Sequence, residues 1–120
     1  MTIFLSLSLI LSLILNKYAI FADKLYNPPM KKVMVLGASP NKHRFSYTCV
    51  KSLLRYGFEV IPVGIKDGEI SGKAIVSGKP DVKNLHTVTI YLNHRNQEEY
   101  YDYLINQQPQ RIILNPGAEN

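Results

Sequence analysis

The sequence predicts an α/β domain in three layers, with a mostly parallel sheet covered by helices on both faces. Three observations point there. The run 33–36 is apolar with no polar alternation, as expected of a central strand buried on both sides. The stretch 46–56 repeats its apolar residues at three- and four-residue spacings, the period of a helix with one buried face. Between them, 37–44 is a polar, basic loop led by a glycine, the layout that opens a nucleotide-binding βαβ unit.

In order, the first element is the strand 31–36, ended by Gly37. The helix is expected to start near Ser46, whose hydroxyl can cap its first free amides, and to bury Tyr47, Val50, Leu53 and Leu54. Arg55 suits its negative end, and Gly57 supplies the left-handed stop. A second strand, 58–63, follows so closely that it must lie parallel to and beside the first, with Pro62 limiting its pairing on one side. The span 64–72 reads as loop, 73–76 as a short edge strand, and no crossover helix is visible before the β-branched strand 86–92. The second helix is expected over 96–107, with Asn96 and Glu99 in a capping-box arrangement and Tyr100, Tyr103 and Leu104 on its buried stripe. Pro109 marks its end and 111–114 is the last strand.

A chain of 120 residues allows one domain. With 46% apolar and 19% charged residues its body is globular rather than disordered. The net charge of +5 suits phosphate, but the basic residues are scattered, which favours a small phosphorylated ligand over nucleic acid. Cys49 is the sole cysteine, so the chain forms no internal disulfide and no cysteine-based zinc site, and a cytoplasmic setting is the default. His43, His86 and His94 share no metal-ligand spacing.

Residues 1–29 differ in character from the rest and are read as an apolar leader and linker, leaving 30–120 as the domain. Three readings of the leader stay open. A secretory signal lacks a basic residue before its apolar run and a clean pair of small residues for cleavage. A membrane anchor needs roughly 20 apolar residues, and Asn16 and Lys17 interrupt this run. An early start upstream of the true one is the third, because Met30 stands just before the first strand.

Right-handed crossovers bring the carboxyl ends of the strands to one edge, where such sheets bind ligands. The pieces that converge there are 37–46, 63–66, 92–95 and 115–117. Gly37 lets the backbone approach an anion, and the loop and helix-start amides are expected to point at it, with Arg44 as a bidentate partner and Lys42 as a softer one. As a dinucleotide fingerprint the loop is weak: one of three glycines is present, and 62–64 lacks the acidic residue that would hold an NAD ribose. Lys66 would instead attract a phosphate on the ribose. No Ser/His/Asp or Cys/His arrangement and no paired carboxylates fall at this edge.

Val35-Leu36-Gly37-Ala38-Ser39-Pro40-Asn41 with Arg44 and Ser46, then Tyr56-Gly57-Phe58-Glu59-Val60-Ile61-Pro62-Val63, then Asn115-Pro116-Gly117, resemble the small bacterial CoA-binding domain proteins. These are Rossmann-like domains related to the CoA-binding module of succinyl-CoA synthetase. The resemblance covers 30–120 and implies non-catalytic binding of coenzyme A or an acyl-CoA. It implies that Gly37, Ala38, Ser39, Arg44 and Ser46 contact the diphosphate, that Pro62 and Val63 border the adenosine, and that Asn115, Pro116 and Gly117 close the pocket. Family members usually continue with a further helix and strand, so if the chain ends at Asn120 the expectation is a sheet face near the last strand without cover and a domain that is weak, aggregation-prone or a homodimer. The alternatives are an NAD(P)-binding reductase or epimerase-like domain, with Lys66 or Arg44 reading a 2′-phosphate, and an interaction domain anchored to a membrane through residues 1–22.

Overall fold

The computed structural model describes residues 2–5 and 30–115. Strand β2 (Lys32–Leu36) is the axis of the sheet. Its side chains alternate between two apolar clusters, Val33 and Val35 on one face, Met34 and Leu36 on the other, and all four are buried. Helix α1 (Phe45–Arg55) packs on the first face through Cys49, Val50 and Leu53; of the expected stripe Val50 and Leu53 are buried, while Tyr47 and Leu54 are partly buried against the same cluster. It closes with a Schellman turn: Gly57, at φ +86°, donates its amide to Leu54 O (3.1 Å), and Phe58 donates to Leu53 O (3.0 Å).

The start of α1 differs from expectation. The helix begins at Phe45, Arg44 is the N-cap residue with an extended backbone (φ −84°, ψ 140°), and no side chain caps it. Ser46 lies inside the first turn and is buried, so its hydroxyl cannot take the capping position.

Strand β3 (Glu59–Val63) runs parallel to β2, with Leu36 opposite Val63. It is an edge strand of the main sheet, which is why Pro62 is tolerated. No helix follows it. Instead β4 (Glu69–Ile70) and β5 (Lys73–Ala74) form a small antiparallel hairpin, so the edge strand expected over 73–76 is corrected: Lys73 and Ala74 pair with the hairpin, and Val76 alone bridges to Val63. Ile70 and Ile75 drive this arrangement by burying themselves in the α1-side core.

Strand β6 (Leu85–Ile90) pairs with β2 on the side away from β3. The helix expected over 96–107 is three pieces: α2 (His94–Gln97), a 3₁₀ turn (Glu98–Tyr100) and α3 (Tyr101–Gln107). Its N-cap is Asn93, whose side chain accepts from Asn96 N at 2.9 Å; Asn96 is the capped residue, not the cap. Leu104 docks α3 on the second sheet face. Strand β7 (Arg111–Leu114) then pairs parallel to β6.

Beyond β7, Thr2–Leu5 (β1) adds a further parallel strand, Thr2 opposite Arg111 and Leu5 opposite Leu114. The sheet order is β1-β7-β6-β2-β3. The β7 edge of the sheet is therefore occupied, by residues assigned from sequence to the leader. The leader and linker expected over 6–29 lie outside the described residues, and among the described residues no helix is long and apolar enough to cross a membrane.

Candidate functional site

The chain leaves β2 on one side to make β3 and returns on the other to make β6, so the strand order reverses between β2 and β6. Ligands in open α/β sheets bind at the carboxyl ends of the strands at such a switch point. A cleft of about 460 Å³ opens there.

Its floor is built by backbone contacts. Tyr91 N donates to Leu36 O at 2.7 Å, locking the ends of β2 and β6 together. The backbone turns at Gly37 with φ +95°, and a β-carbon there would stand 3.0 Å from the Tyr91 carbonyl carbon and 3.1 Å from Leu92 N. Glycine meets both demands. The amides of Gly37 and Ala38 both donate to Val63 O, at 2.8 and 2.9 Å. They are thus committed to β3, a correction to the expectation that the loop amides at this point face an anion. Gly64 completes the junction, since a β-carbon on it would fall 2.1 Å from Ala38 O.

The loop after Ala38 is held by its own side chains. Asn41 N donates to Ser39 Oγ (3.1 Å), His43 N to Asn41 Oδ1 (3.0 Å) and Arg44 N to Asn41 O (3.1 Å). This delivers Arg44 and Ser46 to the cleft wall at the uncapped amino end of α1. Val63, Gly64, Ile65 and Lys66 form a second wall. The third runs along 91–100 and presents Asn93, Asn96, Glu99 and Tyr100.

Of the site residues expected from sequence, Gly37, Ala38, Ser39, Arg44, Ser46, Val63 and Lys66 are brought together on this cleft. Pro62 is buried in β3 next to it. Lys42 is exposed on the loop and not among the lining residues. Asn115 is turned into the sheet, its Nδ2 donating to Thr89 Oγ1 (2.9 Å) and Ile90 O (2.6 Å). Pro116 and Gly117 lie outside the described residues. Phe45, Tyr91, Asn96, Glu99 and Tyr100 also line the cleft and are not on the sequence-based site. Phe45 did carry a signal: a large apolar residue beside a basic loop, and it is 72% exposed.

Beneath the floor, the Tyr91 hydroxyl is buried beside Cys49 and Thr89 without reaching hydrogen-bond geometry to either. Burial pushes the Cys49 thiol up to about 11, against a smaller lowering from Tyr91, and burial also raises the Tyr91 phenol. Both stay protonated at neutral pH. Burial lowers His86, whose Nδ1 lies 2.7 Å from Thr87 Oγ1. Among the described residues no three His, Cys, Asp or Glu side chains gather as metal ligands.

Residues 31–120 match the family described as CoA binding domain. Over 50 residues the chain is 44% identical to the alpha subunit of acetate–CoA ligase I (ADP-forming) of Pyrococcus furiosus, covering 40% of this chain and 10% of that subunit. The chain thus spans only a small part of that curated relative. The crystal structure of an uncharacterised protein superposes with a TM-score of 0.71 at 43% identity, over 77% of this chain and 76% of the other. A conserved hypothetical protein from Pyrococcus furiosus gives a TM-score of 0.64 at 25% identity, over 76% and 79%. A hypothetical protein from Pyrococcus horikoshii, at 21% identity and a TM-score of 0.58 over 86% and 87%, shares the fold. With its Rossmann-like parallel sheet and family match from Lys31 onward, the chain belongs to the CoA-binding domain family.

Proposed function

We propose that this chain binds coenzyme A, free or acylated, in the cleft at the β2–β6 switch point and acts as a binding module rather than a catalyst. The observation that carries this reading is the meeting of Ser39 and Arg44 from the loop after β2, Ser46 from the first turn of α1 and Lys66 from the loop after β3, beside the uncapped amino end of that 11-residue helix. Two cationic side chains and a positive helix end suit a diphosphate. Arg44 offers it a bidentate contact, and Lys66 reaches the phosphate on the ribose. Val63 gives the adenosine an apolar border.

The end of β3 supports CoA over NAD. Where a dinucleotide site would carry a carboxylate for the ribose diol, this wall presents Gly64, Ile65 and Lys66. The protonated Cys49 and Tyr91 offer no nucleophile at neutral pH, which favours binding without chemistry. Titration calorimetry with CoA, NADH and NADPH tests the assignment. CoA is expected to bind best; tighter binding of NADPH would overturn it.

A further inference from the structure

The wall 91–100 contains the least regular helical stretch of the fold, and it is held from outside the cleft. We infer that Lys79 is a positioning residue that fixes this wall by gripping Glu99 and Tyr100 together, and that the wall receives the amide-bearing pantetheine arm of the ligand. The inference rests on the CoA reading and deepens it.

Lys79 does not line the cleft, yet its Nζ donates to Glu99 O at 2.9 Å and stands 5.3 Å from the centroid of the Tyr100 ring. Glu99 and Tyr100 both line the cleft. One ammonium group thus sets the height of the backbone at 99 and the plane of the ring at 100. Such a grip matters here because α2 has 4 residues and the 3₁₀ turn 3, too short to hold their geometry alone.

Lys79 is itself delivered from anchored backbone. Along the loop that stands where a crossover helix is usual, the Tyr103 hydroxyl donates to Pro80 O, Val82 N donates to Gln107 Oε1 (2.9 Å), and Gln107 Nε2 donates to Asp81 Oδ1 (3.0 Å). Successive residues of the loop are thereby pinned to α3. Tyr100 also meets Tyr103 edge to face, with centroids 6.3 Å apart.

The chemistry of the wall fits the arm. Nucleotide phosphates are drawn to the opposite side by Arg44, Lys66 and the helix end. What the third wall presents is the carboxamides of Asn93 and Asn96, the Glu99 carboxylate and the ring of Tyr100. Asn93 uses its Oδ1 on Asn96 N, which leaves its NH₂ group to donate. The pantetheine arm is uncharged and carries two amides, a hydroxyl and a terminal thiol on an aliphatic chain, so it needs such donors and acceptors with an aromatic face beside them.

The test measures binding of CoA and of its nucleotide half alone, 3′-phosphoadenosine diphosphate, to the full chain and to Lys79→Met and Lys79→Arg. Lys79 is exposed, so both variants are expected to melt within a few degrees of the parent. Lys79→Met should weaken CoA roughly three- to tenfold while leaving the nucleotide half within about twofold, and Lys79→Arg, which keeps the donor and the cation, should restore CoA binding. Unchanged CoA affinity in Lys79→Met, or equal loss for both ligands, would overturn the role of Lys79 while the CoA reading stands. Failure of the parent chain to bind CoA would overturn both.

Discussion

Gly64 and Ala38 meet backbone to backbone: a β-carbon added to Gly64 would fall 2.1 Å from Ala38 O. No real β-carbon approaches a carbonyl oxygen so closely, and neither partner is a flexible side chain. Gly64→Ala is therefore expected to push the loop after β2 off β3, costing about 2–4 kcal/mol in urea denaturation and most of the CoA affinity. Parent-like stability in that variant would show that the junction yields more easily than its geometry implies.

Arg44 is expected to contribute to binding and little to folding. Its side chain makes no capping bond and is exposed. Arg44→Ala should change stability by less than about 0.5 kcal/mol and weaken CoA about 10- to 100-fold, with a shallower dependence of affinity on salt. His94→Ala, which removes an exposed residue outside the lining, serves as the control and should bind as the parent does.

The α1 face of the core should be costly to hollow out. Leu53 is 1% exposed in the cluster with Val33, Val35 and Val50. Leu53→Ala is expected to lose about 2–5 kcal/mol by chemical denaturation, whereas Ile105→Ala on the 61% exposed face of α3 should stay within about 0.5 kcal/mol.

Stability should fall at alkaline pH. The Cys49 thiol is raised by burial from 9.0 to about 11 in the fold, so the unfolded chain gives up that proton first. The stabilisation is complete below the unfolded value and is lost as pH climbs from 9.0 towards about 11. Tyr91, raised by burial, acts in the same direction above its ordinary value. Thermal melts between about pH 8 and about pH 10.5 should show a loss near 2 kcal/mol from the thiol (roughly 1.4 kcal/mol per pH unit). Cys49→Ala should flatten that part of the profile; an unchanged slope would remove Cys49 as its source.

What could be read from the sequence was whatever obeys a period or a stop. Val33 to Leu36, the stripe through Val50 and Leu53, and the turn at Gly57 follow from an unbroken apolar run, helical spacing and the left-handed glycine, and all three stand in the fold. The misreadings share another cause. Asn93 and Asn96 are equally good caps three residues apart, and the choice falls on Asn93 because its carboxamide is placed to accept from Asn96 N. Ser46 looks like a cap by type, but the helix begins at Phe45 and buries it in the first turn. The pair of two-residue strands beyond β3 has no local signal; it exists because Ile70 and Ile75 find the α1-side core. On the cleft, the glycine-led loop was legible as a type of turn. That its first two amides go to Val63 O was not, because that bond joins positions far apart in the chain.

The two hydrogen bonds that Val63 O accepts from Gly37 N and Ala38 N bear on how a ligand arrives. A phosphate-binding loop that is slack before binding must give up conformational freedom when it closes, and affinity falls by that amount. Here the start of the loop is fastened to β3 at folding, and the side chains of Ser39 and Asn41 hold the stretch up to Arg44. On the proposed CoA reading, the ligand is expected to meet a site already shaped. Association would then be governed by diffusion and by the pull of Arg44 and Lys66 on a polyanion, and stopped-flow mixing should find it fast and strongly slowed by salt, without a concentration-independent isomerisation step.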